Sequence, residues 1–413
     1  MRFKLSVIAC SILAAGHSMA YDLTDDVKVS GFGTLAFTKS SSEEVLYKPN
    51  WHDKVDVNDS GASIGSDSKL GVQMDIKFND QFSATVQGVT SQRTNGSYKP
   101  HFEWAFVKYK PTSDWDVRMG IMAGPYFDVS DYINVGYGQP FVRPPSDVYL
   151  QVPFTNFKGI DTIYKMSVGS GILSTQLGLG ITRDKIAVGG VNIQTDADKV
   201  RTINTNYEIG DWAFRAGYTV LNVSLASTTV ANIVGGLNAY QPMFPSLDLE
   251  GYGKSFSALD KKASFFGLGV NYTHDDLWVK GEYTKRKTDS YVSNTTGWYL
   301  ASGYRFDNIT PYVIYSDVNV NGPRSQDVVP TTGPLAALGI GLNKVIASQV
   351  RDQSTSSIGV RYDFMKNMDL KLQLDHTRMR DTKYGPGWGY PTQSYNPTNN
   401  SYNVVTLSTD FVF

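Results

Sequence analysis

Apolar residues recur at every second position along most of this chain, and helical spacing is scarce. From Lys69 to Phe78, Leu70, Val72, Met74, Ile76 and Phe78 fall on one face, with Gly71, Gln73, Asp75 and Lys77 on the other. Such alternation marks a strand with one apolar and one polar side. Applied to the whole chain, it predicts sixteen strands, at about 27–40, 69–78, 82–92, 102–110, 115–122, 159–167, 171–183, 199–209, 212–220, 262–272, 277–287, 296–306, 309–316, 353–364, 368–377 and 401–413, with ends good to about 2–4 residues. Strand 102–110 is apolar on both parities, so the pattern does not orient it.

The connections decide between a soluble sandwich and a barrel. Every second connection is very short, as at Asn79-Asp80, Gly210-Asp211 and Asp307-Asn308. The intervening ones are mostly long, at about 41–68, 123–158, 184–198, 221–261, 317–352 and 378–400, with two shorter ones near 93–101 and 288–295. Barrels of the bacterial outer membrane keep tight turns at the periplasmic end and long loops outside, on an even number of strands. The predicted fold is therefore all-β, a 16-stranded antiparallel transmembrane β-barrel with short periplasmic turns and long extracellular loops. Phe82, Trp115, Trp212, Tyr272, Trp298 and Phe306 stand at strand ends, where aromatic girdles meet the headgroups. In the last strand Val405, Leu407, Thr409, Phe411 and Phe413 share one face, and the chain stops on that aromatic.

Composition narrows the class. The 413 residues hold 38 basic and 39 acidic side chains, a balance that excludes a nucleic-acid-wrapping surface. Mean hydropathy is −0.26, and past residue 20 no apolar run reaches the ~20 residues of a membrane helix. An aromatic content of 13% is too rich in core-forming side chains for a disordered chain. At the start, Met1-Arg2-Phe3-Lys4 is basic, Leu5 to Ala15 is apolar, and Ser18-Met19-Ala20 ends in small residues. That order predicts an export signal over residues 1–20 and a barrel domain over 21–413. The lone Cys10 leaves with the signal, so no disulfide holds the exported chain.

Lipid cannot satisfy polar groups, so the polar parity must face the lumen. Among the inward charges this assigns are Asp116 and Arg118, Asp161 and Lys165, Arg215, Lys280 and Glu282, Arg305, Arg361 and Asp363, and Lys371 and Asp375. Gly267 and Gly269 are small inward residues that leave room, and around sixteen strands the geometry leaves an aqueous channel. The connection after the fifth strand is unusual. Gly124 to Lys158 carries Tyr126, Phe127, Tyr132, Tyr137, Phe141, Tyr149, Phe154 and Phe157, and so many aromatics need a packing partner. Folding this loop into the barrel would supply one.

Here the sequence resembles the general trimeric porins of Gram-negative bacteria. The resemblance rests on the opening Val27-Lys28-Val29-Ser30-Gly31-Phe32-Gly33, the sixteen strands, the long loop after the fifth, and the terminal Phe413. It implies an outer-membrane channel for passive diffusion of ions and small hydrophilic solutes, with an inward-folded third loop at its constriction. By that resemblance Asp128, Asp131, Arg143 and Asp147 are constriction-loop candidates, and Arg118, Arg215, Lys280, Arg305, Arg361 and Lys371 pore-wall candidates. Phe413, Phe411 and Leu407 would form the signal read by the barrel-assembly machinery. A homotrimer and contact with outer-membrane lipid and lipopolysaccharide follow from the same likeness; no cofactor is expected, no His/Asp cluster has metal-ligand spacing, and the charge balance already speaks against nucleic-acid partners. The family's Pro-Glu-Phe-Gly type loop motif is absent, and strands two to four carry no arginine ladder.

Two other functions compete with this reading. An enzyme would need a nucleophile with a base, yet His52, His101, His274 and His376 are scattered and no Gly-x-Ser-x-Gly stands beside one. A substrate-specific channel, for sugars or oligosaccharides, would use aromatic platforms such as Tyr384, Trp388, Tyr390 and Tyr395 in the last long loop. The lumen charges are nearly balanced, so the loop acids decide selectivity, and a weak cation preference is expected if they line the narrowest point.

Overall fold

A strand surrounded by lipid must give every backbone N–H and C=O to a neighbouring strand, which only a closed barrel achieves. The computed structural model, which describes residues 21–42, 47–53, 62–188, 191–380 and 400–413, shows that closure. Its barrel strands are β1 (Val27–Ser40), β2 (Lys69–Lys77), β3 (Phe82–Ser91), β4 (His101–Thr112), β5 (Trp115–Ala123), β6 (Asn156–Val168), β7 (Gly171–Val188) and β8 (Val191–Ile209). They continue as β9 (Trp212–Leu225), β10 (Lys261–His274), β11 (Leu277–Thr288), β12 (Thr295–Tyr304), β13 (Ile309–Val320), β14 (Gln353–Met365), β15 (Met368–Met379) and β16 (Ser401–Val412). Each pairs antiparallel with the next, and β16 pairs with β1 from Val404↔Ser40 to Val412↔Phe32. A short strand, Tyr21–Thr24, folds back onto the start of β1.

All sixteen predicted strands are present, and the predicted parity points outward where it is apolar. Leu70, Val72 and Met74 are exposed on β2, as are Leu370, Leu372 and Leu374 on β15. The short turns use residues that tolerate positive φ, with Gly169, Gly210, Asp275, Asp307 and Asn367 all between 49° and 65°. Such residues match a tight turn to the twist of its strands. Aromatics pair along this rim: Phe82 with Tyr109 at 4.7 Å, Trp212 with Tyr272 at 4.5 Å, and Tyr304 with Phe306 at 4.8 Å between ring centroids. Trp298 departs from the expectation. It sits near the long-loop end of β12, beside Tyr315, and belongs to the opposite rim.

The strand that sequence could not orient is β4, and a bulge explains why. Gln87 pairs with Trp104 but Gly88 pairs with Phe102, which leaves Glu103 as an extra residue. An extra residue flips the parity of the positions beyond it. Ala105, Val107 and Tyr109 therefore lie opposite the outward Val86, Ala84 and Phe82, while Phe102 is exposed and Glu103 is buried.

Four long connections carry regular structure. The loop expected at 184–198 is instead the far end of a β7–β8 hairpin, paired to Val188↔Val191 with a bulge near Gly180. A helical turn, α1 (Ser146–Tyr149), lies in the connection after β5, and helices occupy the two longest loops: α2 (Thr228–Tyr240), α3 (Leu249–Phe256) and α4 (Ala336–Ser348). Val230, Ile233 and Leu237 recur at helical spacing on α2, and Leu342 and Ile346 on α4; they share a buried core with Leu249, Phe256, Val329 and Leu335. Ser227 and Asp248 cap α2 and α3 by accepting from the backbone N–H groups of Val230 and Gly251. The two loops thus form one helical cap.

The seam between β16 and β1 depends on the terminal aromatics. Gly31 and Phe413 exchange both backbone hydrogen bonds at 2.9 Å. A Cβ built at Gly31 would lie 2.2 Å from the Phe413 ring, and one at Gly33 2.4 Å from that of Phe411. Each ring covers a glycine of the facing strand. Deleting Phe413, or placing Leu at Gly31, should leave protein in the periplasm and lose the heat-modifiable folded band on electrophoresis. Normal outer-membrane yield of both variants would refute this role.

Candidate functional site

The connection after β5 turns into the barrel, as its aromatics require. Phe127 stacks on Tyr149 at 4.3 Å and meets Phe265 of β10 edge-on at 5.1 Å. Tyr126, Phe141, Val148 and Phe154 are buried with them against Tyr299, Tyr312 and Ile314 of the inner wall. Burying each such ring contributes roughly 1.5–3 kcal/mol. Small residues on the wall make the space: a Cβ at Gly297 would lie 2.5 Å from Gln151, and one at Gly267 3.4 Å from the Tyr126 carbonyl.

An irregular segment inside a barrel exposes carbonyls that no ladder satisfies. Here the wall cations satisfy them. Arg215 donates to the Pro125 carbonyl (2.6 Å), Lys371 to that of Gly136 (2.7 Å), and Arg286 to that of Gln151 (2.8 Å). Arg361 donates to both Tyr137 (2.8 Å) and Gln139 (3.0 Å) and stacks on the Tyr137 ring. The loop therefore follows the wall from β9 through β16 to β1, where Thr34 and Asp410 crowd Gly136.

The loop charges serve the same purpose, with one exception. Asp147 is buried and accepts from Arg351 (3.2 Å), Gln353 (2.6 Å) and Ser316 (2.8 Å). Arg143, also buried, donates to Asp67 and Asp375 at 3.1 Å and to Thr406. Asp128 accepts from Asn271 (2.9 Å) beside Lys280 (4.0 Å), and its own N–H donates to Glu282 (2.9 Å). Asp131 alone of the four stands exposed to the lumen. Surrounding protein raises its carboxyl above the usual range, and the facing Arg118 pulls it back.

Across the passage, Arg118 donates to Asp161 through Nε (2.9 Å) and Nη2 (2.5 Å) and lies over the Phe106 ring at 5.2 Å. Gln176 fixes the same carboxylate at 2.6 Å. Of the other wall candidates, Arg215 and Lys371 are buried beneath the loop, while Lys280 and Arg361 are only partly exposed. Arg305 falls one residue past β12, exposed at the short-turn end. Sequence reading missed Arg286 and Arg351, which also hold the loop; Arg286 shares the inward parity of Lys280 and Glu282, whereas Arg351 precedes β14 and offered no such signal.

Above this level lies a vestibule. The segment Tyr47–Asp53 stretches from Tyr402 and Val404 of β16 to the far end of the β7–β8 hairpin. There Ala187 N–H donates to the Trp51 carbonyl (3.1 Å), Lys48 donates to the Ala187 carbonyl (2.5 Å), and His52 pairs with Asp184 (2.7 Å). Between this strap and the inner loop is a cavity of about 400 Å³. Tyr384, Trp388, Tyr390 and Tyr395, singled out as a sugar platform, lie outside the described residues, as does the expected signal 1–20.

A closed sixteen-stranded barrel with a loop packed into its lumen against one side of the wall is the architecture of an outer-membrane diffusion channel. The family profile described as Gram-negative porin matches residues 5–382, and the chain belongs to that family. Solved structures with the same fold include Salmonella typhi OmpF in complex with daunomycin, at 12% identity over 96% of this chain and 100% of that one, with a TM-score of 0.58. OmpT of Vibrio cholerae, expressed in the outer membrane, gives 11%, 96%, 100% and 0.53. An anion-selective porin from Comamonas acidovorans gives 11%, 94%, 99% and 0.53. No curated protein matches. The protein is an outer-membrane porin that lets small solutes diffuse passively.

The anchoring can be tested apart from permeation. Asp147→Ala leaves Arg351 buried without its carboxylate, a loss of about 3–5 kcal/mol for a broken buried pair. The barrel should still fold, while the loop loosens and single-channel current becomes larger and noisier. Unchanged current in a folded Asp147→Ala channel would show that the pair does not hold the loop.

Proposed function

We propose that the passage is narrowed where Asp131 faces Arg118 and Asp161, and that it weakly prefers cations. The observation that carries this reading is the different fate of the four loop charges: Asp128, Arg143 and Asp147 are tied to the wall, while Asp131 remains open to the lumen. Charges more than a Debye length away, about 8 Å at physiological salt, are screened from a permeating ion. The charged groups that act on Asp131 are Arg118, Asp161 and Arg215; Arg215 is buried and turned onto the Pro125 carbonyl, so at the open face two acids stand against Arg118. We read the chain as a homotrimer without catalytic chemistry, on the strength of family membership. Residues 1–20 are read as its export signal, to be checked by whether the mature protein begins at Tyr21. Contact with lipopolysaccharide, and recognition of Phe413 by the assembly machinery, belong to the same reading.

Reversal potential in a salt gradient tests the constriction. Wild type should favour cations, and Asp131→Asn should remove most of that preference while leaving a folded, conducting channel. A preference unchanged by this substitution would place the constriction elsewhere. Acidification should act in the same direction. Because the Asp131 carboxyl is raised, protonation begins at a pH above the ordinary carboxylate range. Cation preference should therefore fall as pH decreases through that value and return on neutralisation, with no such step in Asp131→Asn.

A further inference from the structure

Two opposite charges in the vestibule lack a charged partner among the described residues. Asp53 is 2% exposed; one carboxylate oxygen accepts from the Asn50 amide at 2.8 Å, and Oδ2 has no hydrogen bond. The Lys69 ammonium touches only the Ile133 carbonyl, at 3.4 Å, and has no carboxylate within 4.0 Å among the described residues. Both line the same cavity of about 400 Å³. Of the other charged groups lining it, Arg143 is matched by Asp67, His52 and Arg93 by Asp184 (2.7 and 3.7 Å), His101 by Glu103 (3.4 Å) and Arg183 by Asp198 (2.5 Å), while the exposed Lys158 forms no ion pair among the described residues. Lys48, the other cation near Asp53, donates to the Ala187 carbonyl.

A buried carboxylate oxygen without a donor is costly, and the cost is removed by whatever donor fills the space. A lone cation would satisfy Asp53 and be repelled by Lys69; a lone anion would do the reverse. A molecule carrying both charges satisfies the two together. The remaining lining is mixed, and Trp51, Phe127 and Tyr149 give it an aromatic part that suits an apolar substituent. Volumes of about 300–1,000 Å³ are usual for small-molecule sites.

We propose that the vestibule is a binding site for small zwitterions of the amino-acid type. The ammonium goes to Asp53 Oδ2, the carboxylate to Lys69, and the side chain against Trp51, Phe127 and Tyr149. The inference rests on the porin reading, since the solute is held on its way to the constriction. Burial holds the Asp53 carboxyl well above the usual carboxylate range, with Asp67 adding to the effect and Lys48, Lys69 and the Asn50 amide opposing it.

The test is single-channel current through the full-length protein in potassium chloride with L-valine, isobutylamine, isobutyrate or glycerol added. Valine should interrupt the current at concentrations about tenfold lower than either singly charged analogue, the factor expected from one additional charge-assisted contact. Asp53→Asn and Lys69→Gln should each raise the half-blocking valine concentration by about tenfold, with heat-modifiable mobility confirming that both fold. Equal interruption by all four probes, or valine block that survives both substitutions, would overturn the site. Absence of any salt current would instead refute the porin reading itself.

Discussion

The whole arrangement depends on one requirement: a non-repetitive backbone placed inside a barrel must find donors for its carbonyls. A hydrophobic wall could bury the aromatic rings of the inner loop but could not supply those donors. Arg215, Arg286, Arg361 and Lys371 do so, each reaching from a different strand to a particular carbonyl. Counted merely as inward charges, the same residues would look like a cationic lining for permeating ions. Their hydrogen bonds give them a different job. They fix where the loop runs, and hence which sector of the lumen is filled and which stays open.

That division explains why counting lumen charges is a poor guide to selectivity in this chain. Lys371, Asp369 and Asp410 form a buried cluster between β15, β16 and the loop. Arg143 is held between Asp67 and Asp375. Charges held in this way face an opposite charge within 4.0 Å and act on one another more than on the water of the lumen. In the open sector the charges that stay exposed, Asp131 among them, keep their field in the water of the lumen.

The barrel itself was legible because a two-residue period repeated sixteen times leaves few alternatives. Strand 102–110 resisted because a bulge at Glu103 shifts parity midway, which no single-face reading accommodates. The helices of the cap were missed for a related reason. Val230, Ile233 and Leu237 cover one side of a short helix within segments already assigned to loops, and their core becomes visible only when the second loop supplies Leu335 and Leu342. At the site, inward parity was readable for Arg118, Arg361 and Lys371. Which of them met a carbonyl and which faced water required knowing the path of the loop.

The positions of the loop's anchors relative to the seam bear on how the molecule forms. Gly136 is held by Lys371 on β15, Asp410 on β16 and Thr34 on β1, so its seat straddles the junction of the two ends of the chain. Arg143 likewise needs Asp375 on β15 and Thr406 on β16. Those sockets do not exist until the last strand has met the first, across a separation of nearly the full sequence, and contacts so distant are the slowest to form. Circularisation and the final seating of this stretch are thus a single event. An assembly intermediate with an unjoined seam keeps the loop's anchors on β9, β11 and β14 but holds its middle, from Gly136 to Arg143, only by half.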